Sequence, residues 1–238
     1  AALVRRLPGG GVLFPTLEQC RAVGQALGDL HVIGQSYAGR CDNSRGPDWR
    51  RQTAEAVLPR AHAAAQALIT SELEAQAGLD LAALPQGVIH ADLFRDNALF
   101  VDDRLTGIID FYHAGQTASL FDLAVIANDW AVNFDQLPAT FAASADQTTI
   151  SQQTPSVYDE EKLRLLVSSY HAIKPLSDAE KSAWPKLLEL AAFRFWLSRL
   201  KTKYLAGYQS EVKQGDVVKS PEAMQLILAS AMRRDPLS

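Results

Sequence analysis

Cysteine is scarce in this 238-residue chain: Cys20 and Cys41 are the two present, in no Cys-x-x-Cys motif and beside no His-rich tract. That argues against a structural zinc site and favours a reduced, intracellular setting. Long apolar runs are missing as well. No stretch approaches the roughly 18 uninterrupted apolar residues of a membrane span, and the best, around 187–200, is broken by Arg194 and Arg199. The opening Ala-Ala-Leu-Val-Arg-Arg-Leu-Pro-Gly-Gly has no apolar core of signal-peptide length. A cytoplasmic location without a membrane partner is expected. Basic clusters are absent, 23 Lys and Arg standing against 27 Asp and Glu, so no nucleic-acid partner is expected. There are no internal repeats. The 47% hydrophobic and 21% charged shares are those of a globular protein with a substantial core.

The pattern along the chain is mostly helical. Leu3–Leu7 reads as a short strand and Pro8–Gly11 as a turn. Thr16 with Gln19 has capping-box spacing, Leu17, Val23, Leu27 and Leu30 recur at helical spacing, and Gly34 is a stop. Residues 35–52 read as a loop. An Ala-rich helix is predicted over 60–78, with Ala64, Leu68 and Leu73 facing inward. Val88-Ile89 forms a short buried strand. Residues 98–101 and 105–109 flank the polar tip Asp102-Asp103-Arg104 as a β-hairpin. A helix is predicted over 120–134 and a polar surface loop over 135–158. Helices follow over 159–173, 178–206 (capped by Ser177 with Glu180) and 221–233. The fold class expected is α+β, predominantly α-helical, with one small hairpin in the middle.

The chemistry gathers at that hairpin. Asp92, Asn97 and Asp110 are side chains suited to handling a proton or a metal, borne by a loop and the hairpin that follows it. Phosphoryl transfer needs such a set. One carboxylate takes the proton of the attacking hydroxyl, while an amide oxygen and a second carboxylate hold a metal against phosphates. The spacing His-x-Asp-x-x-x-x-Asn, with Ile-Ile-Asp-Phe a dozen residues on, matches the catalytic and metal-binding loops of protein-kinase-like folds. Ala91 stands where regulated protein kinases carry an arginine, and Phe121-Asp122-Leu123-Ala124 follows Asp110 with no long activation segment. A small hydroxyl compound is therefore a better substrate than a peptide.

Residues 90–100 (HADLFRDNALF), 107–115 (GIIDFYHAG), 121–130 (FDLAVIANDW) and 194–200 (RFWLSRL) resemble homoserine kinases of the aminoglycoside-phosphotransferase-like type. The resemblance runs from about Leu3 to Arg234. It implies a protein-kinase-like C-terminal catalytic lobe over residues 12–238. Residues 1–11 would be the last strand and hinge of an N-terminal lobe whose earlier part is not in the chain. Leu3, Arg5 and Leu7 would lie where adenine binds. It further implies Asp92 as catalytic base, Asn97 and Asp110 as Mg²⁺ ligands, Asp122 as a brace for the catalytic loop, and ATP and L-homoserine as substrates in threonine biosynthesis. His90 is read as an internal packing and hydrogen-bonding residue.

Homoserine carries an ammonium and a carboxylate, which call for a buried acid and a fork-shaped arginine. Asp129 and Arg194 fit, though each also fits a helix–helix salt bridge; Arg95 could reach the carboxylate or the transferred phosphate. Two alternatives stay open. One is a phosphotransferase of the same superfamily for choline, an aminoglycoside or a sugar amine. The other is a lobe that binds without turnover and self-associates through the face a missing lobe would leave uncovered.

Overall fold

Helix α1 (Leu17–Gly34) starts at the expected capping box: the Thr16 hydroxyl accepts from the Gln19 amide (3.2 Å) and the Gln19 side chain accepts from the Thr16 amide (3.1 Å). Its inward stripe is Cys20, Val23, Gly24, Leu27, Gly28 and His31. The two glycines let a later helix, α5 (Glu160–Ile173), approach closely. A Cβ on Gly24 would lie 2.5 Å from the Leu166 carbonyl, and one on Gly28 would lie 2.8 Å from the Ile173 Cβ. The structure, a computed structural model, describes residues 6–133, 156–205 and 220–237.

The stretch read as a loop over 35–52 contains the start of α2 (Pro47–Val57), where Pro47 sits in the first turn and Arg50, Thr53, Ala54 and Val57 are buried. The Ala-rich α3 (Ala63–Ala77) forms where expected, but turned by one residue. Ala65, Ile69 and Glu72 face inward, Leu68 and Leu73 are partly buried, and Ala64 points to solvent. A stretch so rich in alanine has too little contrast between its faces for the period to fix the buried one.

Two small antiparallel sheets follow. Strand β1 (Gln86–Ile89) pairs with β4 (Gly115–Ala118), a strand that periodicity did not reveal, with Ile89 opposite Gly115. Strands β2 (Ala98–Val101) and β3 (Arg104–Ile108) make the expected hairpin, with a bulge at Leu99/Phe100 and Asp102 in the left-handed region at its turn. Gly10 adds a backbone bridge to Phe100. The expected strand over Leu3–Leu7 lies mostly outside the described residues; Arg6 and Leu7 are not in a strand.

Helix α4 (Ser119–Trp130) is buried at every residue, the mark of a helix surrounded by others. Around it pack α1, α5 and α6 (Asp178–Leu205), which also carries α7 (Pro221–Ala231). Glu180 and Ser177 form the second predicted capping box. Pro185 stands inside α6 and has no N–H for the Lys181 carbonyl. The Leu237 amide donates to that carbonyl instead (3.3 Å), tying the C-terminal tail to the helix. The predicted loop over 135–158 falls mainly outside the described residues; at its end Tyr158 bridges Val132. The described residues are predominantly helical with small antiparallel sheets, the α+β class expected.

Candidate active site

The loop between β1 and β2 is held from below by one buried carboxylate. Asp122, in the first turn of α4 and without solvent exposure, accepts the amide hydrogens of His90 (2.7 Å) and Ala91 (2.8 Å). The His31 Nε2–H donates to the same carboxylate (3.1 Å), and the Tyr170 hydroxyl closes the chain at His31 Nδ1 (2.8 Å). Burial alone would raise the Asp122 carboxyl. The hydrogen bond and charge of His31, with the neighbouring His90, win and hold it below its ordinary value. Paired acceptance from two successive amides also explains why Ala91 sits at φ 65°, a left-handed conformation that costs an alanine about 1 kcal/mol.

His90 links this frame to the hairpin. Its Nδ1 accepts from the Asp92 amide (3.2 Å), and its Nε2–H donates to the Ile109 carbonyl (2.9 Å), one residue before Asp110. That pattern fixes the Nε2–H tautomer. Phe111 packs its ring on the imidazole, centroids 4.6 Å apart. Asn97 makes the other link. Its Nδ2 donates to the Asp92 carbonyl (2.7 Å) and its own carbonyl accepts from Ile109 (2.9 Å).

Asp92 itself is one-fifth exposed, and its carboxylate lies 3.7 Å from Arg194 Nη1 on α6. Burial raises its carboxyl above the ordinary value, against the lowering pull of Arg194, His113, His90 and Arg199. Arg194 is buried and sits over the Phe195 ring (3.9 Å). Desolvation, helped by Arg45 and Arg199, brings it down to about 10 against the opposing pull of Asp92. Asp110 stands in the left-handed region at φ 65°, exposed at the end of β3.

The donor set can be tested against a divalent cation. Among the described residues no three His, Cys, Asp or Glu side chains gather at metal-binding range. An amide oxygen from Asn97 and a carboxylate from Asp110 nevertheless suit a magnesium ion, which keeps several waters and takes its other ligands from phosphate oxygens. The residues present fit such an ion when nucleotide accompanies it.

Asp92, Asn97 and Asp110 are thus joined through His90 and Ile109, and Arg194 is at Asp92. Arg95 and Asp129 are found paired with each other. The Arg95 amide (2.7 Å) and Nε (3.2 Å) both donate to Asp129, and Nη1 donates to the Leu13 carbonyl. Both are nearly inaccessible, and burial raises the Asp129 carboxyl despite Arg95. Leu7 lies against Gly107 of β3, while Leu3 and Arg5 fall outside the described residues. Sequence reasoning passed over His31 and Tyr170, and found in His113 no metal-like spacing to His62 or His171. A histidine on the apolar stripe of α1 was the available signal for the first.

The model of the phosphotransferase enzyme family matches residues 1–166. A homoserine kinase of Methylobacillus flagellatus is 39% identical over 204 residues, covering 86% of this chain and 58% of that protein. One from Cupriavidus necator is 36% identical over 247 residues, covering all of this chain and 68% of that protein. The chain thus spans about three-fifths of the length of the curated relatives it matches. Among solved structures, a choline kinase from Cryptosporidium parvum Iowa II superposes with TM-score 0.61 at 13% identity, over 96% of this chain and 68% of that one. An amicoumacin kinase in complex with AMP-PNP and Ca²⁺ gives 0.60 at 13%, over 97% and 64%. At such identities the likeness is one of fold. No helix among the described residues is long and apolar enough to cross a membrane. The chain belongs to the phosphotransferase enzyme family, and the curated relatives it matches include homoserine kinases.

Proposed function

We propose that residues 12–238 form the catalytic lobe of an ATP-dependent kinase that phosphorylates the side-chain hydroxyl of L-homoserine, a step of threonine biosynthesis. The observation that supports this reading is the single hydrogen-bonded unit of His90, Asp92, Asn97 and Ile109, which ties Asp92 and Asn97 to the residue preceding Asp110.

In this mechanism the Asp92 carboxylate orients the substrate hydroxyl and takes its proton. The hydroxyl oxygen bonds to the γ-phosphorus as the bond from that phosphorus to the β–γ bridging oxygen breaks, and ADP leaves. Asn97 and Asp110 would hold Mg²⁺, which supplies charge neutralisation at the phosphates. Arg194 holds Asp92 in place and offers a cation to the anionic end of the substrate. The buried Arg95–Asp129 pair anchors the loop centre to α4, so its role is to position rather than to read substrate. Ile33, Tyr37 and Phe111 line an apolar cavity of about 550 Å³ near β1. We assign that surface to contact with the ATP-covering lobe implied by residues 1–11; uncovered, it would favour self-association.

The test is ADP release with Mg-ATP and L-homoserine, choline or an aminoglycoside, with Asp92→Asn as the blank. We expect homoserine-dependent release that falls by about 10²-fold or more in the variant, with an unchanged circular dichroism spectrum. Release that survives Asp92→Asn, or that prefers choline, would overturn the assignment. No release with any acceptor would make this chain a binding lobe.

A further inference from the structure

Positive charge is concentrated on one side of Asp92. Arg194 and Arg199 from α6, Arg45 from the segment between α1 and α2, and His113 after β3 all lie within electrostatic reach of one another or of the Asp92 carboxylate. Among the described residues no salt bridge engages Arg45 or Arg199, and Arg194 has Asp92 alone, at 3.7 Å. The Nε atoms of Arg194 and Arg199 are both buried and have no hydrogen-bond partner. Arg194 itself is 97% buried. A buried guanidinium N–H without an acceptor is costly, so each such atom marks a place where an acceptor is due.

Arg45 is held where it is by aromatic contact rather than by an anion. Its guanidinium sits 4.7 Å over the Trp49 ring, and Lys201 approaches the same ring at 5.8 Å. Such stacking leaves the N–H edges of an arginine free to hydrogen bond. Arg194 contacts the partly exposed Asp92 carboxylate, and Arg45 and Arg199 both act electrostatically on Arg194, so the uncompensated charge calls for an anion.

We propose that Arg45, Arg194 and Arg199 form an oxyanion pocket that receives the carboxylate of the acceptor amino acid, so that these arginines select the substrate. This rests on the kinase reading of Asp92. The same chemistry would suit the transferred phosphoryl group, but the arrangement around Asp92 separates the two. The amide of Asn97 engages the Asp92 backbone, whereas Arg194 engages its carboxylate. A hydroxyl at Asp92 would have its own carboxylate, a few bonds away, among the guanidinium groups. In an α-amino acid alcohol this pocket rejects the uncharged analogue by leaving two buried N–H groups unpaired.

The experiment is ligand-observed NMR titration of the 238-residue chain with L-homoserine, L-homoserinamide, 4-hydroxybutyrate and inorganic phosphate. It is repeated on Arg45→Met and Arg199→Lys, each first checked for an unchanged melting temperature. Arg45 is in a loop, so its variant keeps the test available if the helix variant fails to fold. Homoserine and 4-hydroxybutyrate are expected to bind, homoserinamide to bind at least about tenfold more weakly, and Arg45→Met to reduce that preference to near unity.

Equal binding of homoserine and its amide, or a preference unmoved in both variants, would overturn the pocket while homoserine-dependent ADP release still upheld the kinase. Binding of 4-hydroxybutyrate that is lost in Arg45→Met, without homoserine-dependent turnover, would uphold the pocket and sink the homoserine reading. Phosphate binding that depends on Arg45, with no carboxylate bound, would overturn it in favour of the phosphoryl group.

Discussion

Replacing Asp122 by asparagine keeps the shape of the brace beneath the catalytic loop and removes half of its accepting capacity. The Oδ2 atom serves two donors, the His90 amide and His31 Nε2, while Oδ1 serves Ala91. An asparagine with its oxygen at the first position keeps two bonds and turns an NH₂ group against the Ala91 amide. The Ala91 amide then lacks an acceptor and faces the new NH₂ donors, at about 1–3 kcal/mol for the lost partner, and two charge-assisted bonds become neutral ones, at about 1 kcal/mol each. Relief from burying a charge offsets part of this, leaving a loss of about 2–4 kcal/mol, a large fraction of a typical stability of about 5–15 kcal/mol. Urea unfolding followed by tryptophan fluorescence measures it. The pH dependence supplies a second check. Asp122 is held below its ordinary value of 3.8, so its stabilisation is present above that value and lost as pH falls through the folded-state value. The gap between wild type and Asp122→Asn should therefore be full at pH 7 and narrow toward pH 3. A gap below about 0.5 kcal/mol at pH 7, or one indifferent to pH, would refute the bracing role.

Glu72 on α3 is buried beside Glu189 of α6, and burial, with that neighbour, pushes its carboxyl up to about 8 from 4.5. The folded state holds the extra proton, so stability should fall as pH rises from about 4.5 to about 8. Glu72→Gln should flatten that slope, and melting curves across the range read it directly. Gly24→Ala places a methyl 2.5 Å from the Leu166 carbonyl and should cost about 1–3 kcal/mol in chemical denaturation by forcing α1 away from α5. Arg95→Met leaves the Asp129 carboxylate buried without its cation and should cost about 3–5 kcal/mol; a near-neutral result would show that water reaches the pair.

Much of the fold was legible because its signals are local. The boxes at Thr16/Gln19 and Ser177/Glu180 set helix starts by short-range hydrogen bonds, and the 98–108 hairpin announces its tip with three consecutive charges. What was missed depends on distant partners. Strand β4 is the unremarkable Gly-Gln-Thr-Ala, and exists because β1, some thirty residues earlier, offers it a ladder. Helix α2 is polar in sequence and is held by Arg50, Thr53, Ala54 and Val57 against α6. In the site, the loop motif made Asp92 and Asn97 legible as neighbours, which the structure joins by a hydrogen bond, because their spacing is the geometry of the loop itself. The Arg95–Asp129 pairing and the His31–Tyr170 support join residues 34 and 139 positions apart, beyond what spacing can show.

This division between local and distant signals is also how the site is built. The backbone at His90 and Ala91 is fixed by helices, through Asp122, His31 and Tyr170, whereas Asn97 and Ile109 are fixed by the hairpin. His90 belongs to both frames, hydrogen-bonding the Asp92 amide on one side and the Ile109 carbonyl on the other. Asp92 and the backbone leading into Asp110 are therefore positioned relative to one another by one ring, not by two independent scaffolds. That accounts for the tolerance of Ala91 in a left-handed conformation: its cost is offset by two amides bonded to one carboxylate. No contact from a phosphorylated activation segment is needed to hold the loop in shape. A phosphotransferase built this way has the loop at Asp92 preorganised by its own buried hydrogen bonds, which under the proposed function suits an acceptor small enough to enter between Asp92 and the arginines of α6.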